Sequence, residues 1–350
     1  MDSEIVYKLG ASTVLWAQTH LHFLESFLLW CSRAGDPRNS FLVYFPICYA
    51  FRRDFGVQCL WISSLTEWTN ALLKWLFNDD RPYWWVKEKK FENPNNELKQ
   101  FSVTCETGPG FPSGHVMSVT AVGLHIALEL DKLIDHAPHL SLRLKTLFKF
   151  LVYATYFFMI LSVALSRVYV STHFPHQVFV AAFIGTAVTL AVHNVSWYLD
   201  LSSGLVCSVS SNTMLIIAIV FHKAIILSGY DPSSTVCLAK KWSRRKSWVH
   251  LDTTPFFAII RDCGTLFGLG MSTFLDSRSA ESFSGFSLLL TLIFDFIFVK
   301  SVESINIFHE QVMLFYLRAY LKFALLPIII TVLTPYVLES FEMTLQYALY

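Results

Sequence analysis

Long apolar runs separated by short polar breaks dominate the chain. A spanning helix needs about 20 mostly apolar residues, because the hydrocarbon core of a bilayer is about 30 Å thick. Runs of that kind lie near 26–50, 57–77, 115–130, 147–166, 176–197, 211–229, 255–275, 286–303 and 319–340. The first is interrupted by Gly35-Asp36-Pro37. Several do not alternate polar and apolar faces as helices of soluble proteins do. The pattern predicts an all-α polytopic membrane protein with about nine transmembrane helices, built as a single membrane domain over 1–350. Aromatic residues gather near the ends of these runs: Trp61, Trp68, Trp75, Tyr83-Trp84-Trp85, Trp197-Tyr198, Trp242 and Trp248. They read as anchors at the membrane–water interface.

Composition points the same way. Of 350 residues, 54% are hydrophobic and 15% charged, where soluble domains carry about 25% charged residues. The formal net charge is +1, so nothing marks a nucleic-acid partner; the expected surroundings are membrane lipid. Seven cysteines show neither a CxxC pair nor a metal-ligand spacing and read as small hydrophobes. The N-terminal Met-Asp-Ser-Glu lacks a basic leader, so the first membrane helix is expected to act as the signal. The sequon Asn194-Val195-Ser196 falls at the far end of a run and is expected to stay unused.

Three polar stretches interrupt this pattern with candidate chemistry. Lys74-x6-Arg81-Pro82 ends one run, Pro112-Ser113-Gly114-His115 opens another, and Ser166-Arg167-x5-His173 joins two. Ionisable residues at membrane depth are costly and default to a functional reading. Two runs separate loop 78–114 from the junction near 164–177, so both must lie on one side of the membrane. Counting Lys and Arg in short loops slightly favours the cytoplasm for that side.

Together the stretches suit a phosphate ester. Arg offers a planar fork to two oxygens, while Lys is a point charge. Alone, Lys74 and Arg81 could equally be interface anchors. Ser113 can cap a helix and donate its hydroxyl. Gly114 lets backbone approach an anion at the helix N-terminus, and His115 can serve as a general acid. Arg167 adds a third cation. His173 is the candidate nucleophile, since histidine can form a covalent phosphoenzyme. Gln177, four residues on, is placed to hold its other ring nitrogen; His176 is the competing ring. Monoester hydrolysis is slow enough uncatalysed that such a site is asked for up to ~10²¹-fold, roughly 28 kcal/mol.

The three stretches, with their spacing, resemble the signature of the phosphatidic-acid-phosphatase type 2 and haloperoxidase superfamily. Within it, Lys74 to Val86, Thr104 to His115, Ser166 to Val178 and Trp248 to Gly270 resemble the glucose-6-phosphatase family. Similarity runs from about residue 36 to the last apolar run. The resemblance implies nine spans in the endoplasmic-reticulum membrane, with the site lumenal, against the charge count. It implies hydrolysis of glucose 6-phosphate through a phosphohistidine, with His173 as nucleophile and His115 as proton donor. Lys74, Arg81, Ser113, Gly114 and Arg167 would form the phosphate cradle. No metal or organic cofactor is implied, and a sugar-phosphate transporter is an expected partner. The chain departs from the superfamily at Gln177, where an Asp is common, so the ring of His173 needs help from elsewhere. Phe111 replaces a small residue, and the C-terminus lacks a di-lysine tail. Glu106 and its loop are candidates for reading sugar hydroxyls. The alternatives are a phosphatase for another sugar phosphate or a lipid phosphate, and a non-catalytic phosphate-ester binding or transport protein.

Overall fold

The computed structural model describes residues 3–91, 97–275, 286–307 and 310–349. Arg278 and His309 lie outside them. Fourteen α-helices follow in order: α1 (Ser3–His20), α2 (Glu25–Ala34), α3 (Phe45–Phe51), α4 (Arg53–Phe77), α5 (Pro82–Glu88), α6 (Gly114–Asp135), α7 (Leu142–Tyr169), α8 (Pro175–Val195), α9 (Gly204–Leu227), α10 (Ser234–Trp242), α11 (Pro255–Leu275), α12 (Phe286–Glu303), α13 (Val312–Ile328) and α14 (Thr334–Leu349). Among the described residues there is no β-strand, only one isolated parallel bridge between Glu106 and His250.

Every apolar run falls on helix. Four stretches among the described residues are long and apolar enough to cross a membrane: Leu142–Tyr169, Pro175–Val195, Gly204–Leu227 and Val312–Phe341. At 1.5 Å per residue, the 28 residues of α7 span about 42 Å, more than the hydrocarbon core requires. Phe150, Phe157, Phe158 and Leu161 of α7 are exposed, as are Phe179 and Phe183 of α8. Such large apolar groups suit a lipid solvent. The 26–50 run is split in two: α2 ends before Gly35, and helix resumes beyond Pro37.

The chain falls into two compact units. One comprises Met1–Pro37, Thr66–Thr189 and Ile219–Ala258; the other comprises Arg38–Leu65, Leu190–Ala218 and Ile259–Tyr350. In the first, α6 packs against α7, and α7 receives α1 and α2. Tyr83 and Trp84 are fully buried there, and Trp85 is nearly so, among Ala11, Val14, Met117 and Phe174. The expected interface anchors of α5 are therefore core. Trp197 and Tyr198, by contrast, stand exposed. In the second unit, α12 packs on α3, α13 and α14. Gly264 and Gly268 bring α11 close to α13: a methyl added at Gly268 would sit 2.1 Å from the Ala324 carbonyl oxygen. Small residues four apart permit such close helix approach in membranes.

Helix α1 was not among the expected elements. Lys8, Ser12, Thr13, Gln18 and Thr19 break its apolar content. Its inward stripe is nevertheless helical: Ala11, Val14 and Ala17 are buried, and Tyr7 precedes them by one turn.

Candidate functional site

The site lies wholly in the first unit, and two helix–turn–helix joints build it. Helix α4 ends at Phe77, and Asn78 takes a left-handed backbone with φ of 43°. Asn is one of the few residues besides Gly that visit that region. Arg81 then occupies the N-cap of α5 with extended backbone, and Pro82 opens the helix, where its fixed φ fits. The second joint repeats the device. Helix α7 ends at Tyr169, Ser171 turns through φ of 54°, and Pro175 opens α8. Lys74 and Arg81 thus flank one turn, and Arg167 and His173 flank the other.

Between them runs the turn Glu106 to Gly110, whose oxygens face the cations. Lys74 Nζ donates to Pro109 O at 2.6 Å. Arg81 Nε donates to Gly108 O at 2.7 Å and Nη2 donates to Pro109 O at 3.1 Å. Arg81 Nη1 donates to Thr172 O at 3.3 Å and lies 3.0 Å from Glu106 Oε2. Arg167 Nη2 donates to Glu106 Oε1, and Nη1 donates to Ser32 Oγ at 2.6 Å. His115 Nδ1 lies 3.7 Å from the same Glu106 oxygen. Glu106 therefore joins Arg81, Arg167 and His115 around one carboxylate. Burial works to raise its pKa, but Arg167 and Arg81 outweigh this and hold it well below the usual carboxylate range. Its backbone is tied on both sides: Tyr83 Oη donates to Glu106 O at 2.9 Å, and Glu106 N donates to Thr104 O at 2.9 Å. The expected sugar-reading carboxylate thus faces the cations.

His173 is fully buried. Its Nδ1 lies 2.7 Å from Gly110 O and 3.3 Å from Gln177 Oε1. Both are acceptors, so Nδ1 carries the proton and Nε2 keeps its lone pair. Nε2 faces Arg81 Nη1 at 3.3 Å. Burial first, then the charges of Arg81 and Arg167, hold the imidazole well below the usual histidine range, which keeps the ring neutral. The expected Gln177 contact is present, but Gly110 O is the nearer partner. The peptide Phe111–Pro112 within the next stretch is cis.

Ser113 stands at the N-cap of α6, yet its side chain caps nothing. Its Oγ is buried with no protein partner among the described residues, and so is Arg167 Nε. Ser113 N donates to Gln177 O at 3.2 Å, which ties the start of α6 to the start of α8. Gly114 is buried beside Asn70: an added methyl would lie 3.3 Å from Asn70 Oδ1, and Asn70 Nδ2 donates to Pro112 O at 3.1 Å. The structure thus gathers Lys74, Arg81, His115, Arg167 and His173 around one turn, while Ser113 and Gly114 form the start of α6, tied to Gln177 and Asn70. His176 points elsewhere, with its Nε2 3.2 Å from Asp79 Oδ2.

The arrangement can do three things to a phosphate ester. Three cations, a free hydroxyl and the first N–H groups of α6 can hold its oxygens. A neutral imidazole can present a lone pair to phosphorus, and a second imidazole stands across the carboxylate to handle a proton. The sequence reading named Glu106 as a candidate for sugar hydroxyls and did not single out Gly110 or Asp79. The available signal was an acid inside a loop rich in Gly and Thr, and two acids immediately before Arg81.

Residues 55–200 match the model of the PAP2 superfamily. Across nearly the full chain, similarity extends to named proteins. Glucose-6-phosphatase 3 of Bos taurus is 34% identical over 331 residues, covering 93% of both chains. Glucose-6-phosphatase 2 of Homo sapiens is 31% identical over 343 residues, covering 95% of this chain and 96% of its own. Glucose-6-phosphatase catalytic subunit 1 of Canis lupus familiaris is 30% identical over 343 residues, covering 96% of this chain and 95% of its own. No solved structure matches significantly.

Proposed function

The chain belongs to the glucose-6-phosphatase family of the PAP2 superfamily, and from that premise we propose that it hydrolyses glucose 6-phosphate through a phosphohistidine. Its setting in this reading is the endoplasmic-reticulum membrane, crossed nine times by one functional domain, with the site on the lumenal face. A sugar-phosphate transporter would supply that face with substrate.

The observation that carries the reading is the orientation of His173. Its Nδ1 is held by Gly110 O and its Nε2 is turned toward the cation Arg81. In the first step Nε2 attacks phosphorus, the bond from phosphorus to the sugar oxygen breaks, and His115 gives its proton to the departing alkoxide. In the second, His115 takes a proton from water, the oxygen attacks phosphorus, and the P–N bond breaks to release inorganic phosphate. Lys74, Arg81, Arg167, Ser113 Oγ and the N-terminus of α6 hold the equatorial oxygens throughout. Charge placed beforehand in a water-poor site stabilises the transition state without reorganisation.

The test is phosphate release from glucose 6-phosphate by the purified chain, with His173→Ala and Arg81→Ala alongside. Both variants are expected to lose turnover while eluting as folded protein. Near-normal release from either, or a clear preference for a lipid phosphate, defeats the reading. Acid quench with ³²P-labelled substrate should label the wild type but not His173→Ala. Latency in intact microsomes, relieved by permeabilisation, tests the lumenal face.

A further inference from the structure

The two acceptors at His173 Nδ1 are neutral. A ring phosphorylated on Nε2 while protonated on Nδ1 is cationic, so an anion near the Nδ1 side favours the intermediate. Both acceptors lead back to one residue. Gln177 offers Oε1 to the ring, while its Nε2 donates to Asp79 Oδ2 at 2.8 Å and to Asp80 O at 2.7 Å. Gly110 offers its carbonyl to the ring, while its N–H donates to Asp79 O at 2.7 Å. The side chain and backbone of Asp79 thus fix the two halves of the Nδ1 cradle.

Resting on the phosphohistidine reading, we propose that Asp79 is a positioning residue for the nucleophile: its carboxylate, relayed through the Gln177 amide, stabilises the cationic ring of His173. An amide whose N–H groups bond to a carboxylate has a more negative carbonyl oxygen, because hydrogen bonds in a chain polarise one another. Glu106, another carboxylate acting on the ring, is already engaged by Arg81 and Arg167. Asp80 turns its own carboxylate to Trp84 Nε1 at 2.7 Å. Tyr7 of α1 donates to Asp79 Oδ1, and His176 of α8 lies 3.2 Å from Oδ2. These groups, with the Asp80 N–H at 3.0 Å, keep Asp79 ionised: burial works to raise its pKa, and the bonds from His176, Tyr7 and Gln177 bring it below the usual range.

The test uses the full-length chain in detergent and rapid-quench measurement of ³²P transfer to the protein. Asp79→Asn keeps the shape and removes the charge. It is expected to slow phosphorylation by about 10–100-fold, as loss of an outer partner does elsewhere, with KM little changed. Moving the charge one step inward, in Asp79→Asn/Gln177→Glu, should recover most of the lost rate. A wild-type rate in Asp79→Asn, a loss confined to KM, or a charge-moving double variant no faster than Asp79→Asn overturns the proposal. If Asp79→Asn does not fold, Gln177→Leu cuts the same relay, and an unchanged rate there overturns it equally. Failure of the wild type to label with any phosphate ester would sink the phosphohistidine reading itself, a result distinct from labelled wild type with an unaffected Asp79→Asn.

Discussion

Glu106→Gln is the sharpest probe of how the cradle is balanced. In the structure one carboxylate serves Arg81 and Arg167, whose side chains are 0% exposed, while that of Glu106 is 12% exposed. Lys74 lies nearby and donates to a carbonyl, Pro109 O. Glutamine keeps the size but removes the countercharge and turns an N–H₂ group toward two guanidiniums. Breaking a buried pair by removing one partner costs about 3–5 kcal/mol. Arg81 keeps three backbone acceptors, so the lower end, about 3 kcal/mol, applies. At about 2–4 °C per kcal/mol, this is a fall of roughly 6–12 °C in melting midpoint. A bound phosphate or orthovanadate dianion returns the missing charge. In the wild type that dianion must displace the carboxylate from the guanidiniums; in the variant it need not. The vanadate-induced rise in Tm should therefore be larger for Glu106→Gln than for wild type at the same concentration, since stabilisation follows RT ln(1 + [L]/Kd). The assay is intrinsic-fluorescence melting in detergent, with and without orthovanadate. A variant that melts with the wild type, or gains no more from vanadate, refutes Glu106 as the resting countercharge.

Gly110→Ala should abolish turnover with the chain still assembled, because the added methyl would meet Asp80 O at 2.4 Å and Gln177 Nε2 at 2.6 Å and push Gly110 O off His173; phosphate release with normal kcat refutes it. The acid limb of kcat/KM should lie below pH ~6.5, because burial and the two arginines favour the neutral His173 ring; a limb at or above that value contradicts the assignment. His173 and Glu106 are both depressed relative to the unfolded chain, so the unfolded state binds protons more readily. Stability should therefore fall with acidification, first below pH ~6.5 and again below pH ~4.3; melting midpoints that rise over that range would be wrong for both groups. Gly268→Val should lower thermal stability through the second unit, since even a methyl there lies 2.1 Å from Ala324 O; an unchanged Tm refutes the close packing of α11 on α13.

The long apolar runs were legible because a bilayer demands a fixed length of apolar residues, and α7, α8 and α9 meet it with few interruptions. Helix α1 was not, because its core face is a narrow stripe of Tyr7, Ala11, Val14 and Ala17, and Lys8, Ser12, Thr13, Gln18 and Thr19 interrupt its other apolar residues. Tyr83, Trp84 and Trp85 were misread for a related reason. Aromatic residues beside an apolar run fit an interface or a core equally well, and only the turn made by Asn78 and Pro82 sends α5 inward. Ser113 showed the same ambiguity: its type and place predicted a helix cap, while the structure leaves its hydroxyl unused by the helix.

The cations and histidines were legible because each stretch combines an unusual residue with a helix end. Their counter-groups were not, since an acid becomes a partner only through the fold. Glu106 precedes Arg167 by 61 positions, and Asp79 precedes Gln177 by 98. The structure also gives a physical reason for the composition of Thr104-Cys105-Glu106-Thr107-Gly108-Pro109-Gly110. That turn has to aim the carbonyls of Gly108, Pro109 and Gly110 at Arg81, Lys74 and His173, and a side chain at Gly110 would collide with Asp80 and Gln177. A turn that pairs every cation with a protein oxygen keeps three like charges together in a buried place. The same pairing sets the condition for binding: an incoming anion must offer the guanidiniums more than Glu106 does. A doubly charged phosphate with three terminal oxygens meets that condition better than a carboxylate or a neutral sugar, so on the proposed function the phosphate end of the substrate would be selected before any sugar hydroxyl is read.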